Sequence, residues 1–95
     1  MIRKEDIARV LETARIEEVI GDFVKLKKSG STYVGLCPFH TEKTPSFHVN
    51  PALGIFKCFG CGKGGNIITF LREHEKFSYI EAIRYLAQRY GIELI

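Results

Sequence analysis

The spacing of apolar residues changes twice along the chain. Ile7, Val10, Leu11 and Ala14 recur at i, i+3, i+4 and i+7, the period of a helix with one apolar stripe. Ile16, Val19, Ile20 and Phe23 repeat the spacing in a different phase. This predicts two short helices within about 4–21, or one helix bent near Ala14-Arg15, ended by Gly21-Asp22. Alternation then takes over. Val24 and Leu26 oppose Lys25 and Lys27, and Lys28-Ser29-Gly30-Ser31 reads as a turn. Thr32-Tyr33-Val34-Gly35-Leu36 makes a second strand, so 23–36 reads as a hairpin. Ser46-Phe47-His48-Val49-Asn50 alternates again, Pro51-Ala52-Leu53-Gly54 is a turn, and Ile55-Phe56-Lys57 runs back toward Cys58. Connections this short allow only antiparallel pairing, which places a small sheet within about 23–61. The helical period returns over about 66–91. Asn66 can cap a helix that turns Ile67, Ile68, Phe70 and Leu71 inward. Ser78 and Glu81 have capping-box spacing ahead of a helix that carries Ile83, Leu86, Ala87 and Tyr90 on one side and stops at Gly91. The expected fold class is α+β: an antiparallel sheet with helices at both ends, one domain over 1–95, without repeats or linkers.

Length and charge narrow this picture. Ninety-five residues can bury a modest core but frame little cleft, which argues against a self-contained enzyme. No apolar run approaches the ~20 residues a membrane helix needs, and no signal segment follows the N-terminus, so a reducing, cytoplasmic setting is expected. The net charge of +3 is unevenly distributed. Residues 1–22 sum to −2 and residues 66–95 to zero, whereas 23–65 carry six lysines against Glu42 alone, a net +5. A basic segment of this kind suits a polyanion. By itself it suits a solvated lysine-rich face equally well.

The three cysteines carry more information than their number suggests. Cys37-Pro38-Phe39-His40 and Cys58-Phe59-Gly60-Cys61 form a C-x2-H and a C-x2-C pair separated by 17 residues. Zinc takes four borderline or soft donors in a tetrahedron, and a two-residue spacer lets one tight turn offer two of them. Backbone N–H groups of such a turn can then bond the thiolates. The intervening strands would bring one turn over the other, as in a zinc ribbon, with His40 completing an odd cysteine count. A redox dithiol at Cys58 and Cys61 would require a parallel βαβ pattern that is absent, and would leave Cys37 and His40 unexplained. His48 is a rival fourth ligand, but it sits mid-strand on the polar face without a partner at ligand spacing. His74, beside Glu73 and Glu75, reads as solvent-exposed. Four protein ligands close the coordination shell, so a single structural Zn2+ is expected.

The polar strand faces present Lys25, Lys27, Tyr33, Ser46, His48 and Lys57, and nearby loops add Lys43 and Lys63. Lysines track phosphates and aromatic rings stack on unpaired bases, so these eight are the candidate DNA-binding residues, with Tyr33 as the stacking ring. Phe47 and Phe56 read as core. Phe39 and Phe59, inside the ligand turns, are open to a role in covering the metal.

These residues compose a longer pattern. Tyr33-x-Gly35-Leu36-Cys37-Pro38-Phe39-His40-x-Glu42-Lys43-Thr44-Pro45-Ser46-Phe47, followed by Cys58-Phe59-Gly60-Cys61-x-x-Gly64-Gly65-Asn66, closely resembles the N-terminal zinc-binding domain of bacterial replicative DNA primases, the CHC2-type zinc ribbon. The resemblance covers nearly the whole chain and extends to Phe70-Leu71, Ala82 and Leu86-Ala87. It implies zinc on Cys37, His40, Cys58 and Cys61, and a module that binds single-stranded DNA template and supports RNA primer synthesis. In that family a catalytic RNA-polymerase domain of Toprim type follows, and a further domain contacts the replicative helicase. The expected partners are therefore template DNA and that catalytic domain, with the helicase reached only indirectly and no membrane involved. Catalytic residues are expected to be absent. Ser31 stands where the family often carries a basic residue. The competing function is a protein-interaction zinc ribbon of a transcription or mobile-element protein.

Overall fold

The structure is a computed structural model that describes residues 2–39 and 43–95. Helices α1 (Lys4–Thr13) and α2 (Ile16–Gly21) come first, split where the apolar phase changes. A sheet of β1 (Lys27–Ser29), β2 (Thr32–Gly35), β3 (Phe47–Asn50), β4 (Ile55–Cys58) and β5 (Gly64–Gly65) follows, then α3 (Ile67–His74) and α4 (Tyr79–Arg89). The strands pair antiparallel in sequence order. This is an α+β fold of the expected class.

Register sorts the side chains. Tyr33 pairs with Val49, Val49 with Phe56, and Phe47 with both Gly35 and Cys58, so these residues share one face. Helices α2 and α3 pack on it. Phe47, Val49, Phe56, Phe70, Leu71, Val19 and Ile20 are buried there. The Phe47 and Phe56 rings stack with centroids 5.6 Å apart, and Phe70 meets Phe56 edge-on at 5.8 Å. The other face carries Lys27, Val34, His48 and Lys57 in one cross-strand row, with Asn50 and Ile55 in the next.

The expectations shift at five places. The first strand begins at Lys27 rather than Val24, because the Val24 N–H is bonded to the Ile20 carbonyl at 2.8 Å in the turn that closes α2. Ser29 and Thr32 then pair across a two-residue loop in which Gly30 takes φ +63°. Strand β5 is an addition, because two glycines carry no alternation to read. Leu11, expected inside, is 41% exposed, while Asp6 is buried one turn before Val10. His74 is half-buried, its ring stacked on Phe70 at 5.0 Å. Both predicted caps are present. Asn66 Oδ1 accepts the Thr69 N–H at 2.9 Å, and Ser78 and Glu81 form the reciprocal capping box. No helix among the described residues is long and apolar enough to cross a membrane.

Candidate metal centre and nucleic-acid face

Two turns at one end of the sheet bring three sulfurs together. Cys37 lies two residues beyond β2 and is buried, and the Phe39 N–H points at its Sγ from 3.4 Å. The Phe39 ring reaches back into the core against Phe56 and Phe70, at 6.2 and 5.9 Å, and so fastens this turn to sheet and helix. Cys58 ends β4 on the core side. The chain then doubles back, with Gly62 N–H donating to the Cys58 carbonyl and Cys58 N–H to the Lys63 carbonyl, both at 2.8 Å. That turn carries Cys61 to the surface, its Sγ 3.7 Å from that of Cys37. All three Sγ atoms lie within 4.8 Å of one another. Two sulfurs bound to one tetrahedral zinc at about 2.3 Å stand about 3.8 Å apart, so the Cys37–Cys61 separation suits a shared ion. His40, with Thr41 and Glu42, lies outside the described residues.

The surroundings favour thiolates unevenly. Burial pushes the Cys37 thiol up to about 12, with the thiols of Cys58 and Cys61 adding to the rise and the Phe39 N–H opposing it. Burial also works against ionisation of Cys58. There the Ser46 hydroxyl, the Cys61 N–H, the Cys37 thiol and the Gly60 N–H together outweigh it and bring the group to about 7. Ser46 Oγ is 3.6 Å from Cys58 Sγ. A divalent cation displaces the thiol protons, and donor groups already aimed at sulfur lower the cost of holding the resulting charge. Three soft donors, two tight turns and hydrogen bonds to sulfur fit one zinc ion.

The candidate DNA-binding residues separate into three groups. Lys27, His48 and Lys57 stand together on the open face, joined through Val34 by cross-strand register. Lys57 Nζ donates to the Gly62 carbonyl at 3.0 Å, just behind the metal turn. Lys25 and Lys43 are exposed outside the strands. The remaining three are placed otherwise. Tyr33, expected on the polar face, belongs to the opposite one, because its register partner is Val49, and it packs half-buried against the core. Ser46 turns its hydroxyl to Cys58. Lys63 Nζ stands over the Phe39 ring, 5.6 Å from its centroid, and 3.7 Å from Glu73 Oε2. Phe59 was missing from the set. It is 70% exposed on the open face, edge-on to the His48 ring at 5.0 Å. Its position between Cys58 and Cys61 marks it in the sequence, but its direction is set only once the turn is folded.

Comparison with known proteins bears on this centre directly. The CHC2 zinc finger family profile matches residues 2–95. The chain belongs to the CHC2 zinc finger family. This CHC2 zinc finger is 52% identical over 91 residues to the DNA primase of Mycobacterium tuberculosis strain H37Rv, covering 95% of the chain and 14% of that protein. It is 48% identical over 93 residues to the DNA primase of Halalkalibacterium halodurans, covering 98% of the chain and 16% of that protein. A crystal structure of the Aquifex aeolicus primase, with zinc-binding and RNA polymerase domains, superposes with a TM-score of 0.86 at 48% identity, over 95% of this chain and 22% of that one. The CHC2 zinc finger thus spans about one-seventh of the length of the curated relatives it matches.

Proposed function

We propose that this chain is the zinc-binding module of a bacterial DNA primase. In this reading residues 1–95 form one domain that holds single-stranded template DNA across the open face of its sheet and supports RNA primer synthesis. Cys37, Cys58 and Cys61, with His40 as fourth ligand, hold one structural zinc with a closed shell. Nucleotidyl transfer then belongs to a catalytic RNA-polymerase domain outside this chain, and the replicative helicase is reached through a further domain. The setting is the bacterial cytoplasm at the replication fork. The observation that carries the proposal is the Lys27–Val34–His48–Lys57 row, two exposed lysines and a half-buried histidine on the sheet face opposite the one that carries Phe47, Val49 and Phe56. Of the remaining candidates, Lys25 and Lys43 are free to meet phosphates beside it. Tyr33, Ser46 and Lys63 contribute through the fold and the metal turn. Ser31, in the β1–β2 loop, offers no charge there.

The test is titration of fluorescently labelled single-stranded DNA with the zinc-loaded chain at two salt concentrations. Weak binding that falls with salt is expected. Lys27→Ala and Lys57→Ala should each lower affinity for every sequence and reduce the salt slope by about one counterion. No binding even at low salt would overturn the proposal in favour of a protein-interaction zinc ribbon.

A further inference from the structure

We infer that the exposed Phe59 ring stacks on one unpaired base of the bound strand, in the groove it shares with His48 and Ile55. The inference rests on the template-binding reading and assigns a base subsite within that face. An exposed aromatic ring alone decides nothing, since single apolar side chains are common on surfaces. Three observations distinguish Phe59. The neighbouring aromatic rings have other work: Phe39, Phe47, Phe56 and Phe70 contact one another in the core, whereas Phe59 is 70% exposed and the ring beside it is His48, at 5.0 Å and 74°. A groove of about 250 Å³ opens beside it, lined among others by Thr32, His48, Asn50, Ile55 and Lys57, so that polar groups face an apolar floor. The backbone that carries the ring is also anchored. The Phe59 N–H donates to the Ser46 carbonyl at 2.9 Å, and the residue lies inside the turn between Cys58 and Cys61. With its backbone held in advance, only the ring's own torsions remain to be ordered on stacking.

The cations are placed to serve such a base. Lys57 lines the groove, and Lys27 lies three strands away in the same cross-strand row, about 14 Å at ordinary strand spacing. A strand crossing the sheet along this row would lay phosphates on the two lysines and deliver a base to Phe59 at one end. Stacking tolerates any base, because each has a π face, so the site should anchor the strand without reading its sequence.

The chain contains no tryptophan, which makes Phe59→Trp a single fluorescent reporter. Zinc-loaded Phe59→Trp is titrated with an oligothymidylate and with an abasic strand of equal length and charge. Quenching by the first and not by the second is expected. In parallel, Phe59→Ala with zinc content matching the parent chain should bind the oligothymidylate about 5- to 150-fold more weakly, and the abasic strand within about twofold of the parent. If Phe59→Ala binds the oligothymidylate like the parent while Lys57→Ala weakens it, the base subsite is wrong and the DNA face stands. Equal loss on both strands would likewise sink the inference, since Phe59 would then act through the fold or the metal turn. If the parent chain binds neither strand, the template reading fails as well.

Discussion

At the scale of single residues, the metal centre combines groups that the sequence announces with one that it does not. The clustering of Cys37, Cys58 and Cys61 is legible because two C-x2 pairs at this separation suit one ion, whereas His40, the expected fourth ligand, lies outside the described residues. Ser46 reads in the sequence as a polar strand residue and a candidate DNA contact. What gives it a task is the Phe47–Cys58 register, which carries the preceding hydroxyl to within 3.6 Å of the Cys58 sulfur. Ser46→Ala should leave the helical circular dichroism unchanged and loosen zinc by about 10- to 100-fold, the usual effect of removing a hydrogen bond to a ligand. Competition with a chromogenic chelator measures it, and an unchanged zinc affinity would show that the hydroxyl is incidental. Cys61→Ser should act more severely. Zinc binding in small peptides contributes about 10–16 kcal/mol, comparable with the stability of a whole small domain. That variant, or the parent chain after chelation, should lose much of the sheet's structure and melt at a lower temperature without cooperativity. Tyr33 leaves the face it was expected on for a related reason. A one-residue difference in strand phase moves a side chain to the opposite face, and neither composition nor charge fixes that phase.

At the scale of elements, side-chain caps mark where α3 and α4 begin, whereas α1 and α2 start without one. Both C-terminal helices start where their caps predict. Ser78 Oγ accepts the Glu81 N–H at 3.2 Å while Glu81 Oε1 accepts the Ser78 N–H at 2.7 Å. Ser78→Ala should therefore cost about 1 kcal/mol, read as a lower melting midpoint with zinc content unchanged. The first strand was misplaced because alternation from Val24 to Lys27 is real but its N-terminal half is otherwise engaged. There the backbone crosses close above Gly35, where a Cβ would stand 2.6 Å from the Lys25 carbonyl oxygen. That contact is backbone and cannot swing aside. Gly35→Ala should destabilise the chain by about 1–3 kcal/mol, as overpacking commonly does, in a urea titration. A stability equal to the parent's would mean that the Lys25 segment moves freely off β2.

At the scale of the whole molecule, the helices divide one sheet into a closed and an open side, and the two chain ends hold the closed side together. Arg89 bridges Asp22 at 2.6 Å, and Tyr90 Oη accepts the Arg15 N–H at 3.0 Å and donates to Glu18 at 2.8 Å, tying α4 to α2. Asp6 is the unexpected member of this closure. A carboxylate buried in an apolar helix stripe breaks the hydrophobic pattern; Arg3 and Arg9 flank it at three-residue spacing, but its partner at the other end of the chain, the Ile95 N–H, cannot be read from the sequence. Its Oδ1 accepts from Arg9 at 3.1 Å, Arg3 stands 3.6 Å from Oδ2, and the Ile95 N–H donates to Oδ2 at 3.0 Å. Arg9 in turn donates to the Glu93 carbonyl at 2.7 Å, so one buried charge pins residues 93 and 95 onto α1. Asp6→Ala removes the acceptor but leaves both arginines half exposed, free to recover water, so the loss falls short of a fully buried ion pair. About 0.5–1.5 kcal/mol is expected, from the lost hydrogen bonds and the loosened last residues, since Ile95 is 76% exposed and its N–H can also recover water. The same change at Glu5, whose side chain is 77% exposed, should have no measurable effect. Urea unfolding of the two zinc-loaded variants makes the comparison. Because Asp6 lies on the helical side, away from the Lys27–His48–Lys57 row, Asp6→Ala should bind single-stranded DNA with the parent's affinity and salt slope. Loss of both stability and binding would mean that the closed side sets the shape of the open one.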